Sequence, residues 1–453
     1  AQSSPSQNRP VKTFTLEDAI HYAETNYPVI RAAREQIAAA RAGVTLARTN
    51  YLPSANSVWQ SNRATANNIF GLLLPQSVIP SISGPVLPAT SNRSVWGSAA
   101  GLLFSWEPAD FGLRRATVDS ARATENRAAA DEAVTHLEVA VATTDAFLTL
   151  LAARQTVHAA QSDVERREIL GKSVHVLVVN QLRPGADASR ADADLALART
   201  NLIRAQQQER ISRVAFAETL GLAGTDVDIQ PGPLLDSPPE SAPAAAPLSS
   251  HPIAAAGQAR INEARAREKI LNRTDYPRVY FQSALTGRGS GANPNGTLAG
   301  GVNGLGLERE NWAAGVTIMF PNLFDFSALR ARKHIEAANE RAEVARYDQT
   351  MQDLTGEREQ AQAALEGARA VAENTPIELH AARDSETQAA ARYKAGLANI
   401  IEVADAQSLL AQAEIDDALA RLAVWHNLAA LAASQGSLEP FLEAVRQKSQ
   451  GGR

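Results

Sequence analysis

The chain contains no cysteine, which excludes disulfides, thiol-ligated metal and a lipid carried on an N-terminal cysteine. It also lacks an excess of basic charge. With a formal net charge of −5 and a pI near 6.0 it offers no electrostatic footprint for nucleic acid. No run of about 18 apolar residues occurs, so no transmembrane helix is expected. Aromatic residues are scarce at 5%, although hydrophobic residues reach 45% and are largely alanine. Side chains that small cannot fill thick globular cores; thin helical layers with closely approaching backbones suit them better. The eight histidines show no paired metal-ligand spacing, and His136, His158 and His175 read as surface or packing residues. The runs Gly287 to Gly291 and Gly300 to Gly306 are not followed by a helix that could cradle phosphate, and they read as loop glycines. With no nucleophile or metal constellation, neither an enzyme nor a cofactor is expected.

What the chain does have is one pattern written twice. Asn26-Tyr27-Pro28-Val29-Ile30 is echoed by Ser250-His251-Pro252-Ile253, and Pro53 follows Pro28 at the same interval as Pro277 follows Pro252. Asp110-Phe111-Gly112 then matches Asp325-Phe326-Ser327, and Arg183-Pro184-Gly185-Ala186 matches Lys394-Ala395-Gly396-Leu397, each with a glycine placed to permit a turn. Each half therefore reads helix, strand, strand, long helix, turn, helix. The halves span 1–229 and 251–436. A Pro-, Ala- and Ser-rich linker at 230–250 joins them, and a tail at 437–453 follows; both are expected in an equatorial region outside any tunnel.

Thr15-Leu16-Glu17-Asp18 has the spacing of a capping box and opens a short helix ending near Asn26. Pro28 begins another, in which Ile30, Ala33, Ile37, Ala40, Val44 and Ala47 recur at alternating steps of three and four, a coiled-coil seam. The stretch 111–181 has no proline, and roughly 70 residues make a helix about 105 Å long. Its counterpart, 326–394, carries Pro376, which should bend or locally unwind it. Taken alone, such helices describe a soluble coiled-coil scaffold with a β-insert.

The segments 51–62, 94–106, 277–287 and 311–321 favour another reading. Each is long enough to cross a membrane as a tilted strand. Trp59, Trp96, Trp106 and Trp312 lie in or at their ends, joined by Tyr51, Phe104, Tyr276, Tyr280, Phe281 and Phe320. Membrane interfaces select rings of this kind, apolar in body and, for Trp and Tyr, polar at the tip. Long loops join the strands on one side, and helices adjoin them directly on the other. Four strands cannot close a barrel, and an open edge cannot sit in lipid, so the strands must be shared among chains.

Phe14-Thr15-Leu16-Glu17-Asp18-Ala19-Ile20, Asn26-Tyr27-Pro28, the duplicated unit, and Gly396-Leu397-Ala398-Asn399-Ile400-Ile401-Glu402-Val403-Ala404-Asp405-Ala406 together resemble the TolC family of outer-membrane efflux proteins. The resemblance covers nearly the whole chain. It implies a mainly α protein with transmembrane β: a homotrimer whose 12-stranded β-barrel continues as a long periplasmic α-helical barrel. It also implies an outer-membrane location in a Gram-negative bacterium, contact with outer-membrane lipid, and an exit duct docking with a periplasmic adaptor and an inner-membrane transporter of RND or ABC type. The opening Ala1-Gln2-Ser3-Ser4-Pro5, which looks like a terminus left by signal peptidase, fits export.

Glu402 and Asp405 lie three residues apart just after Gly396, on one face of a helix at its N-terminal end. Acidic residues favour the first helical turn through the helix dipole in any case. By resemblance, these two positions ring the periplasmic entrance, and Tyr393 matches a tyrosine that helps hold it closed. The family's gating arginine is not matched, since Ala398 holds its place. In the first hairpin Asp192 is the nearest equivalent of the acidic partner, one residue out of register, while Asp187 and Arg190 are other polar candidates.

Overall fold

The computed structural model describes residues 11–65, 92–239, 247–293, 295, 297–321 and 326–451. The expectations for Ala1 to Pro5, most of the first interstrand loop, the middle of the linker and Asp325 fall outside these residues. In chain order the elements are β1 (Lys12–Phe14), α1 (Leu16–Asn26), α2 (Pro28–Thr49), β2 (Ser54–Thr65), β3 (Ser94–Ala109), α3 (Leu113–Val179), α4 (Gly185–Thr219), β4 (Val227–Ile229), α5 (Pro252–Leu271), β5 (Arg278–Ser290), β6 (Arg309–Met319), α6 (Phe326–Lys394), α7 (Ile400–Ser434) and α8 (Glu439–Gly451). The two halves match closely in length, with α3 and α6 of 67 and 69 residues and α4 and α7 of 35 each.

Two compact units result, and each draws on both halves. One comprises Ala1–Ile37, Arg127–Ala259 and Val344–Arg453; the other comprises Ala38–Asn126 and Arg260–Glu343. The repeat is thus a unit of sequence, while each compact unit is assembled from corresponding parts of both copies.

The first unit holds the main apolar core. Thr15 caps α1, its hydroxyl accepting from the Asp18 amide at 3.2 Å, and α1 buries Leu16, Ala19, Ile20 and Ala23. Phe14 and Phe147 both meet Phe216 edge-on. Trp425, fully buried, packs edge-on to Phe441 of α8 and donates its indole N–H to the Asp236 carbonyl at 3.3 Å. The linker start and α8 are therefore fastened to this core. One connection was not legible in the sequence: β1 pairs in parallel with β4, Phe14 opposite Ile229. Helix α3 contains a window apolar enough to cross a membrane by length and composition, but half of that window is buried in protein. Its Phe147, Leu148, Leu150 and Leu151 belong to the core. Helix α6 stays helical through Pro376, so of the expected bend or local unwinding the unwinding does not occur.

The second unit holds a four-stranded antiparallel sheet ordered β2-β3-β5-β6. The strands begin or end a few residues from the expected limits. Gly289, expected in a loop, lies inside β5, as does Gly287, expected both as the end of the strand segment and as the first of the loop glycines. Their lack of a side chain has a use: the following loop folds back so closely that a Cβ on Gly289 would overlap the Gly306 carbonyl oxygen. The Ser98 hydroxyl donates to the same carbonyl at 3.4 Å. At the helical end, Asp110 accepts from the Gly112 amide at 3.0 Å and from the Arg114 guanidinium at 2.9 Å. The chain passes from β3 into α3 there through Phe111 and Gly112, both at positive φ.

Candidate functional site: sheet faces and helical turns

Strand register sorts the sheet into two unlike faces. On one face Trp59 stands opposite Ala100, Trp312 opposite Leu285, Val316 opposite Phe281, and Ile318 opposite Val279. Trp59 and Trp312 are 73% and 81% exposed in the single chain, far more than a soluble sheet tolerates for such rings. The other face carries Asn56, Gln60, Asn62, Gln282, Asn311 and Thr317, with Arg278, Arg288 and Arg309 toward the strand ends and Leu103, Tyr280 and Met319 as its larger apolar side chains. This is the apolar-out, polar-in period of a membrane barrel. At the helical end of the apolar face Trp106 donates its indole N–H to the Tyr51 carbonyl at 3.1 Å. At the loop end Arg63 lies over Trp96 at 5.7 Å. Aromatic rings with polar company therefore stand at both ends of the apolar band.

In the first unit, two helical turns come together. Each ends its long helix with the same pair of hydrogen bonds: Leu182 N to Leu177 O at 2.8 Å and Gln181 N to Val178 O at 2.9 Å, against Leu397 N to Arg392 O at 2.8 Å and Gly396 N to Tyr393 O at 3.0 Å. This closure places one residue in the left-handed region, Gly396 at φ 78° and Gln181 at φ 58°. Gln181, rather than Gly185, is therefore the counterpart of Gly396, and Gly185 is the first residue of α4. Sequence comparison missed this because it aligned glycine with glycine, while the first turn accepts the cost of a non-glycine residue in that conformation. In the observed register Asp187 corresponds to Glu402 and Arg190 to Asp405.

Asn399 and Glu402 form a full capping box at the start of α7, the Glu402 amide donating to Asn399 Oδ1 at 2.9 Å. Glu402 also lies 3.8 Å from the Arg392 guanidinium. Asp405 is exposed, and among the described residues it has no ion-pair partner. Tyr393 is only 2% exposed and packs among Val174, Ala188, Ala191, Ile400 and Val403. Its hydroxyl donates to Asp187 Oδ2 at 3.0 Å. Burial, with the hydrogen bond to Asp187 and its charge, pushes the phenol up to about 12. The Arg183 guanidinium lies over the Tyr393 ring at 4.3 Å and donates to the Tyr393 carbonyl at 2.6 Å and the Ala398 carbonyl at 3.4 Å.

The structure thus brings Asp187, not Asp192, to Tyr393. Asp192 is exposed and pairs with His175 at 2.9 Å, and Arg190 pairs with Asp194 at 3.0 Å. Arg183 escaped the sequence reading because an arginine was sought in the second hairpin. The first hairpin supplies one that reaches the backbone of Ala398. Among the described residues no cluster of metal-binding side chains occurs.

A sheet with one apolar and one polar face, open at both edges and grown from long helices, defines a membrane channel built by several copies. The model of the outer membrane efflux protein family matches residues 19–222 and 246–437, and the chain belongs to that family. It is 27% identical over 405 residues to Protein CyaE of Bordetella pertussis, covering 87% of this chain and 78% of that one. Among solved structures it resembles CusC with a TM-score of 0.76 at 16% identity, covering 96% of each chain. It also resembles VceC of Vibrio cholerae with a TM-score of 0.71 at 17% identity, covering 93% of this chain and 96% of that one.

The protein is a passive outer-membrane exit duct of an efflux or secretion system, not an enzyme and not a soluble scaffold. It works as a trimer whose β-barrel continues as a periplasmic α-barrel, together with a periplasmic adaptor and an inner-membrane transporter.

Proposed function

We propose that the two helical turns form the gate at the periplasmic entrance, with Tyr393, Asp187 and Arg183 tying one hairpin to the other. The observation that carries this reading is the Tyr393 hydroxyl: a buried ring spends its one polar atom on a carboxylate of the neighbouring hairpin. The tie resists separation of the hairpins, and engagement of the adaptor supplies the work that breaks it. Glu402 and Asp405 line the mouth, where three copies crowd carboxylates and make the pore cation-preferring. Glu402 serves both purposes, since its capping role orders the first turn of α7 while its charge faces solvent. Asp192, paired with His175, stands outside the tie. The β1 and β4 pair, the linker and α8 form the collar around the helical barrel, and the transporter, of RND or ABC type, provides the energy.

The test is Glu402→Gln with Asp405→Asn in planar bilayers. Reduced cation preference and weaker block by multivalent cations are expected, and unchanged selectivity and block would sink the assignment.

A further inference from the structure

The polar face of the sheet carries a feature that neither the duct nor its gate requires. Arg288 of β5 and Arg309 of β6 stand directly opposite each other at the loop end. Directly opposed side chains have Cβ atoms about 5 Å apart, and like charges in that position destabilise a sheet. Among the described residues neither guanidinium has an ion-pair or hydrogen-bond partner. Glu310, next to Arg309, points by strand alternation to the apolar face, as does its partner Gly287. Glu308, whose amide donates to the Arg288 carbonyl at 3.1 Å, precedes β6 and among the described residues forms no ion pair with either arginine, and Glu107 lies near Arg278 at the helical end of the strands. On β2, the strand that a second copy would set against the free edge of β6, the same face offers Asn56, Gln60 and Asn62 without charge.

Two opposed arginines that form no ion pair among the described residues, on the face the duct turns to its lumen, present a fork for an oxyanion. Guanidinium groups bind phosphate or carboxylate in paired hydrogen bonds, and two of them can bracket one multivalent anion. A trimer repeats the pair three times around the outer mouth, where a narrow low-dielectric wall focuses the field. We infer that the Arg288 and Arg309 pairs form an anion-binding ring at the external mouth. The ring engages multivalent oxyanions, phosphate-bearing or carboxylate-rich, as they leave the lumen. The inference rests on the duct reading, because the pairs face a shared lumen only in the closed barrel.

Tripolyphosphate tests it on the purified full-length trimer in planar bilayers. Wild type should be blocked from the loop side at a concentration at least tenfold below that needed for Arg288→Gln with Arg309→Gln. Replacement of both by lysine, which keeps the charge and loses the fork, should fall between. Equal block of wild type and the glutamine variant, or block from the helical side alone, would overturn the ring. Should the double variant fail to trimerise, the exposed Arg309→Gln alone carries the test, with a threefold or greater loss expected and no loss counting against the ring. A purified protein that conducts no ions would remove the duct itself, whereas conduction with unchanged block would remove the ring only.

Discussion

Tyr393→Phe isolates the proposed tie, because it deletes one hydroxyl and leaves the ring in place. The phenylalanine still fills the site among Val174, Ile400 and Val403, and Arg183 still lies over it. What is lost is a hydrogen bond to a charged acceptor, worth about 1.5–3 kcal/mol. Asp187 is half-buried and recovers part of this by hydration, so about 1.5 kcal/mol per copy is the working figure. Each 1.4 kcal/mol is about tenfold in an equilibrium, so one broken tie shifts the closed state toward open by roughly ten. If three copies open together, the shifts multiply to about a thousandfold. Single-channel recordings should therefore show long-lived high-conductance openings that are rare in wild type, while thermal stability changes little. Wild-type conductance in a correctly trimerised Tyr393→Phe protein would refute the tie. The pH dependence follows the same chemistry: the folded phenol is raised to about 12 from an ordinary value of 10. The tie is then fully present below about pH 10 and lost as pH rises toward 12, so wild-type conductance should climb across that window while that of the Phe variant stays flat.

Trp425→Ala opens the core where the linker is fastened, and a loss of about 3–5 kcal/mol is expected in thermal or denaturant unfolding; a loss of about 1 kcal/mol or less would show that the linker is not anchored there. His251 is 2% exposed, and burial pushes its pKa below the ordinary value. The unfolded chain takes up that proton near pH 6.5 and the folded one resists it, so stability is full above that pH and falls below it, by at most about 1.4 kcal/mol per unit. His251→Gln should flatten the dependence of Tm on pH between 7.5 and 5.5, and an unaltered slope would count against the assignment. Gly289→Ala must displace the loop that lies against it, so protease should cut near Gly304 faster than in wild type. Gly315→Ala, with open space around it, is the matched control, and equal cutting in both variants would contradict the close approach.

Much of the architecture was legible because it rests on local chemistry. Thr15 with Asp18 announced a helix start, paired prolines announced the duplication, and tryptophans at strand ends announced a membrane interface. The count of four strands, read from sequence and seen in the sheet, already required partner chains. The candidate site was legible only in part. Glu402 could be placed at a helix start from its position just after Gly396, and it stands there, closing a capping box with Asn399 that spans only three residues. Asp187 could not be assigned to Tyr393, since that choice depends on how two distant turns dock, and Gln181 in a left-handed conformation leaves no glycine to mark the register. The same limit hid the β1 and β4 pair, the glycines beneath the folded-back loop and the opposed arginines. Local propensity and periodicity belong to neighbours along the chain, so the sequence by itself determined the repeat, the long helices and the four strands of the antiparallel sheet. Which side chain meets which across elements is decided by register and docking, and only the tertiary structure decided the tie at Tyr393 and the two faces of the sheet.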